Sequence, residues 1–212
     1  KKDKAITKYL KQKNITYKNL IASIDLVINT IAGNINLDLC KDIDTTSAFE
    51  INFIRNGICS SLDQQHRDMC ETFDKLEAIR AEFDKIVTKS ENRSSRNTES
   101  VKIHETDKNV FRLLLTKRRA SLLKQHLINS QHKGTKSPRA CASGLTSLSY
   151  ISSYDGSNKT FLFDMNKDKV TFHSQSSLNE TIKTDEIEAL CKDITTLKVE
   201  LKEKITSRYY TF

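Results

Sequence analysis

A chain of 212 residues that is 37% apolar can bury one modest core or two small ones, and that share is low for a single large globule. Five glycines and one proline exclude an all-β protein with many tight turns, so helix should dominate. The formal net charge of +8 favours a polyanionic partner if it is concentrated in one place.

Residues 3–35 read as helical: Tyr9, Leu10, Ile15, Leu20, Ile24, Val27, Ile28 and Ile31 recur at three-to-four spacing. A break is expected near Asn14, with Thr16 as the cap that follows it and Gly33-Asn34 as a stop. Residues 36–56 mix short apolar runs with the turn-prone Asp44-Thr45-Thr46-Ser47 and define no element. From 60 to 89 the pattern is regular. Leu62, Met69, Phe73, Leu76, Ile79, Phe83 and Ile86 fall close to a 3.5-residue repeat, which predicts one helix of about 30 residues and about 45 Å.

The segment that follows is different. Val101-Lys102-Ile103-His104-Glu105 and Val110-Phe111-Arg112-Leu113-Leu114-Leu115 read as short strands around the turn-prone Asp107-Lys108-Asn109. A short helix over about 117–130 follows, capped by Thr116. Residues 131–157 hold Gly134, Pro138, Gly144, Gly156 and many serines, and read as loop with one strand around Tyr150. Thr160-Phe161-Leu162-Phe163 and Val170-Thr171-Phe172-His173, joined by Asn166-Lys167-Asp168, predict a hairpin. The chain closes on a second helical stripe of Ile187, Leu190, Ile194, Leu197, Leu201 and Ile205, with Asp185, Glu186 and Glu188 in its first turn, where the helix dipole favours acids. Neither long stripe is stable alone in water, so the two are expected to pack as an antiparallel pair. The expected fold is mainly α with a small α+β insert.

Charge is unevenly spread. Between Glu91 and Ala140 twelve lysines and arginines stand against four acids, a local excess of eight that accounts for the whole net charge. Lys117-Arg118-Arg119 lie at a strand-to-helix junction, with Arg112 before them and Lys124, Lys133, Lys136 and Arg139 after. These eight are the candidate phosphate contacts, because each cation that neutralises a phosphate releases condensed counterions.

The order of long helix, basic β-containing insert and returning helix resembles the lever-and-clamp region of MutS-type DNA mismatch-repair proteins. Ile54-Arg55-Asn56-Gly57-Ile58 before the first long helix is similar to that family's R-[DN]-G turn. Val101-Lys102-Ile103 with Phe111-Arg112-Leu113-Leu114-Leu115-Thr116-Lys117-Arg118 resembles its paired clamp strands, and Val170-Thr171-Phe172 with Leu178-Asn179-Glu180 its last clamp strand and returning lever. The family often has Gly-Tyr where this chain has Val110-Phe111. The enlarged serine-rich loop is similar to divergent branches such as giant-virus or organelle members. The resemblance implies a helical core part at 1–58, an outgoing lever at 59–90, a clamp at 91–181 and a returning lever at 182–212. On that reading, long antiparallel lever helices carry a small antiparallel β-sheet clamp at their tip. The implied partners are double-stranded DNA and a second MutS subunit of the parent protein. ATP and magnesium would belong to other parts of that parent, a DNA-dependent ATPase.

This chain has no G-x-x-x-x-G-K-[ST] and no Phe-x-Glu mismatch wedge. No cofactor, metal or catalytic residue is therefore expected in it. His66 and Cys70, four apart on the first long helix, are two potential ligands, and two are not a site. The five cysteines, Cys40, Cys59, Cys70, Cys141 and Cys191, form no framework and are expected as thiols in an intracellular protein. No run is long and apolar enough for a bilayer, no leader pattern opens the chain, and no membrane partner is expected. A start at Lys1-Lys2-Asp3-Lys4 rather than Met fits an upstream part. The competing class is a coiled-coil scaffold or adaptor whose basic insert is only a solvated linker.

Overall fold

A computed structural model describes residues 2–13, 15–41, 43–45, 49, 51–91, 99–106, 110–132 and 145–211. The protein is mixed α+β, with long helices and small antiparallel sheets. It divides into two compact units, residues 1–63 with 202–212, and residues 64–201.

The first unit opens with helix α1, Lys2–Gln12, and helix α2, Tyr17–Asn34. Thr16 caps α2 through its hydroxyl, which accepts from the Asn19 amide at 3.2 Å. Such a cap satisfies one of the four amides that a helix start leaves without a partner. The helix ends without a left-handed glycine. Ile35 is extended at φ −121° and enters an isolated β-bridge with Ile54, flanked by Asn36 N to Phe53 O at 2.7 Å and Arg55 N to Asn34 O at 2.9 Å. Pairing with a distant strand, rather than the Gly33-Asn34 stop expected from sequence, terminates α2. A 3-10 turn spans Leu37–Cys40, and Phe49, Phe53 and Tyr209 meet edge to face in a small aromatic cluster. The Arg55-Asn56-Gly57 turn depends on its glycine, whose φ of +90° suits no other residue as well. The Gly57 amide donates to Asp63 Oδ2 at 2.8 Å.

The second unit holds most of helix α3, Ser60–Ser90, and of helix α5, Asp185–Tyr209. Thr184 caps α5 through its hydroxyl, 3.0 Å from the Ile187 amide. Here the two helices run antiparallel. Gln65 near the start of α3 donates to Glu200 near the end of α5 at 2.6 Å, while Ile86 and Val87 share a buried cluster with Ile187 and Cys191.

Between them come strands β1, Lys102–Glu105, and β2, Phe111–Thr116, helix α4, Lys117–His132, and strands β3, Leu145–Ile151, β4, Asn158–Asp164, β5, Thr171–Ser174, and β6, Asn179–Lys183. They form a four-stranded antiparallel sheet in the order β1-β2-β6-β5 and a separate β3-β4 hairpin. This corrects the expected pairing of 160–163 with 170–173. The former joins β3, in register from Leu145 with Asp164 to Ile151 with Asn158, and the latter joins β6, with Phe172 opposite Ile182. Strand β6 was not anticipated. The expected turn Asp107-Lys108-Asn109 lies outside the described residues.

The core of this unit is shared rather than reserved for a helix pair. Leu76, Ile79 and Phe83 of α3, Ile187 and Ile194 of α5, Ala120, Leu123 and Leu127 of α4, Phe111, Leu113 and Ile182 of the sheet and Phe163 of the hairpin form one buried cluster. Polar contacts fix the β-elements along α3 from residue 71 to residue 84. Glu71 pairs with Lys159, Asp74 accepts from Ser153 N at 2.7 Å, Arg80 donates to Val101 O at 3.2 Å, and Asp84 accepts from Val101 N at 3.0 Å. Each is a charge-assisted bond between a helix side chain and a strand end, the stronger kind of protein hydrogen bond.

Candidate nucleic-acid interface

Strand geometry sorts the four-stranded sheet into two faces, because successive side chains point opposite ways. The register places Lys102 opposite Leu114 and His104 opposite Arg112, and Leu114 opposite Thr181, which lies opposite His173. One face therefore carries Ile103, Glu105, Phe111, Leu113, Leu115, Glu180, Ile182 and Phe172. The other carries Lys102, His104, Arg112, Leu114, Thr116, Thr181, Lys183, Thr171 and His173.

The first face is buried against the helices, and both of its acids are neutralised there. Glu105 binds Lys198 of α5 at 2.7 Å, and Lys198 also lies 5.9 Å from the centre of the Phe111 ring. Glu180 binds Lys124 of α4 at 2.9 Å, and that ammonium stands 4.7 Å from the centre of the Phe172 ring. A cation over an aromatic face gains from the ring quadrupole as well as from its carboxylate.

The second face contains no acid among its strand residues. Lys102, His104, Thr116, Thr171 and His173 are exposed, and Arg112 and Lys183 are half-buried. Gln175, which follows β5, accepts from Arg112 Nη1 at 2.8 Å and lies 3.5 Å from Thr181 Oγ1. At the α5 end this face meets Glu188, Cys191, Lys192, Thr195 and Thr196, which enclose with it a half-open groove of about 530 Å³. Lys183 pairs there with Glu188 at 2.6 Å.

At the opposite end of β2 the chain turns directly into α4. Thr116 caps it through the Arg119 amide at 3.4 Å, and the first turn of α4 has no acid but Lys117, Arg118 and Arg119 in sequence. Cations at the positive end of a helix dipole are unfavourable by about 0.3–1 kcal/mol each. An anion lodged there would reverse that sign, since it meets cationic side chains and helix amides together.

The candidates from the sequence have different fates. Lys117 and Arg118 are exposed. Arg119 is turned inward, with its Nε 3.4 Å from Glu91 Oε1 and its Nη1 3.5 Å from Ser100 O. Lys124 is engaged with Glu180 and Phe172, and Arg112 belongs to the acid-free face. Lys133, Lys136 and Arg139 lie outside the described residues.

Sequence reasoning missed Lys102, Lys183, His104 and His173. Period-two alternation within β1 and β2 carries the signal for Lys102, His104 and Arg112. Lys183 needs the unanticipated β6. The His66 ring meets Tyr154 edge to face at 5.6 Å, and burial chiefly pushes the Cys70 thiol up. Among the described residues no three potential ligands come together in a group that could hold a metal ion, and no helix is long and apolar enough to cross a membrane.

No family model, curated protein or solved structure that was compared with the chain matches it.

Proposed function

We propose that the second unit grips the backbone of double-stranded DNA without reading its sequence, as the lever-and-clamp region of a MutS-like mismatch-repair ATPase. In that reading α3 and α5 are the levers that link the grip to ATPase parts elsewhere in the parent protein, and the sheet with α4 is the clamp. The observation that carries the proposal is the partition of charge across the sheet. Glu105 and Glu180 are drawn to the inner face and neutralised by helix lysines, while Lys102, Arg112 and Lys183 occupy the outer face and Lys117 and Arg118 extend it at the start of α4. Cations without interspersed acids suit a phosphate backbone. The outer face also presents no aromatic side chain on which an unpaired base could stack, which favours a duplex over a single strand.

The test is a titration of several unrelated duplexes at low salt with the wild-type chain and with a variant carrying Lys102→Ala, Lys117→Ala and Arg118→Ala. The three side chains are exposed, so the variant should remain folded. The expected result is similar affinity for all duplexes and at least a tenfold loss in the variant. Equal binding by the two proteins removes the outer face from the proposal. Absence of wild-type binding at low salt leaves the scaffold reading as the better account.

A further inference from the structure

Helix α2 carries an apolar stripe that nothing in its own unit covers. Tyr17, Leu20, Ile24, Val27 and Ile31 follow a strict three-four-three-four spacing, and Ile21 and Ile28 widen the same side. Leu20 is half-buried and the other six are exposed, from 43% for Ile31 to 62% for Tyr17. None of the described residues of α2 is buried. The opposite side is polar and nearly neutral, with one lysine, Lys18, and one aspartate, Asp25. Ser23 and Thr30 return their hydroxyl protons to the carbonyls of Asn19 and Leu26.

We infer that α2 is a self-association surface that pairs with α2 of a second copy of this chain, antiparallel, across the Tyr17–Ile31 seam. The spacing selects a helix as the occupant, because a 3.5-residue apolar repeat is complementary to another helix and to little else. It disfavours a lipid surface. Interfacial helices carry a strongly charged, basic polar side, whereas that of α2 has one charge of each sign. The area also fits. Burying this stripe on a second copy removes on the order of 1,200 Å² from water counting both copies, the lower limit for a specific interface. Orientation follows from charge. Lys4, Lys8, Lys11 and Lys13 precede α2, and an antiparallel pair holds the two α2 starts about 27 Å apart, well beyond a Debye length of about 8 Å. A parallel pair would bring these lysines together. The same arrangement sets each helix start beside the partner's helix end, so the dipoles attract.

Sedimentation velocity on the full chain tests this at high salt, where bridging by stray polyanions is screened. Over about 1 to about 200 µM a monomer should give way to a dimer. Ile24→Glu should weaken association at least tenfold with an unchanged circular dichroism spectrum, since Ile24 is exposed in the monomer. Residue 24 lies at the middle of the seam, opposite itself in the partner, so a mixture of Ile24→Glu and Ile24→Lys chains should dimerise where neither does alone. A chain that stays monomeric throughout overturns the inference. Association that is indifferent to Ile24→Glu, or that the mixture does not restore, assigns the contact to another surface and overturns it as well. A monomer that sediments with phosphatidylglycerol vesicles shows that α2 takes lipid instead.

Discussion

Lys117, Arg118 and Arg119 are consecutive cations with two separate jobs. The Arg119 guanidinium reaches Glu91, whose carboxylate is almost wholly buried, and the Ser100 carbonyl. It ties the end of α3 to the entry of β1. Removing it takes a positive partner from a desolvated charge, so Arg119→Ala should destabilise the fold by about 2 kcal/mol. Lys117→Ala and Arg118→Ala should each stay within about 0.5 kcal/mol of wild type. Urea unfolding of the three single variants checks this, and equal midpoints for all three would sink the distinction. The consequence for binding work is direct. A variant that replaces all three confounds loss of phosphate contact with loss of structure. The cysteines differ at the same scale. Cys59 precedes α3, where the Ser61 hydroxyl first and then the Leu62 amide hold its thiol below the usual range. Cys191 is buried in the core and its thiol is pushed up to about 11 by desolvation. Because the thiolate is the nucleophile, brief alkylation near pH 8 should label Cys59 well before Cys191. Mass spectrometry of the peptides would show the order, and prior labelling of Cys191 would contradict its place in the core.

Among the elements, the β3-β4 hairpin shows how local chemistry closes a turn that composition alone leaves as loop. Gly156 takes φ +73°, Gly156 N bonds Ser152 O at 2.8 Å, and Asp155 Oδ1 accepts from the Ser157 hydroxyl at 2.6 Å and its amide at 3.0 Å. Those bonds lower the Asp155 carboxyl to about 2. A depressed carboxyl contributes stability that is present above its ordinary range near 4 and is lost as pH falls through the folded value. The hairpin turn should therefore hold from neutral pH down to about 4 and loosen between about 4 and about 2. The carboxyl carbon resonance of Asp155 reports it directly, and a midpoint near 4 would mean that the turn does not hold its acid. Much of the helical fold was legible in the sequence for a physical reason. A 3.5-residue stripe such as Leu76, Ile79, Phe83 is a property of one helix, and so is the Thr16 cap. A strand's partner is a property of two distant segments. Alternation marks 160–163 and 170–173 as strands without saying which strand each joins, and the intervening Asn166-Lys167-Asp168 looks like a hairpin turn. In the structure Asn166 O instead accepts the Lys169 and Val170 amides, both at 3.0 Å, and the chain passes from one sheet to the other. Strand β6 escaped notice because Asn179-Glu180-Thr181-Ile182-Lys183 is short and leads straight into the Thr184 cap.

For the whole molecule, the decisive quantity is where the +8 sits. Residues 91–140 supply the entire excess, yet their cations do not all face outward. Arg119 and Lys124 are spent on internal carboxylates, while Lys183, from beyond that segment, joins the outer face of the sheet. The positive surface is thus assembled from β1, β2, β6 and the start of α4, and no linear window of sequence contains it. This makes a quantitative expectation possible. If Lys102, Arg112, Lys117, Arg118 and Lys183 each neutralise one phosphate of a duplex, the logarithm of the binding constant should fall with the logarithm of salt at a slope of about −4.5. Losing Lys102, Lys117 and Arg118 should reduce that slope by about 2.7, whatever the sequence of the duplex. A steeper wild-type slope would bring in further cations of residues 91–140, with Lys133, Lys136 and Arg139 the first to substitute. A slope near zero would mean that the concentration of charge on this face serves solubility alone, because any contact that displaces condensed counterions must register in the salt dependence.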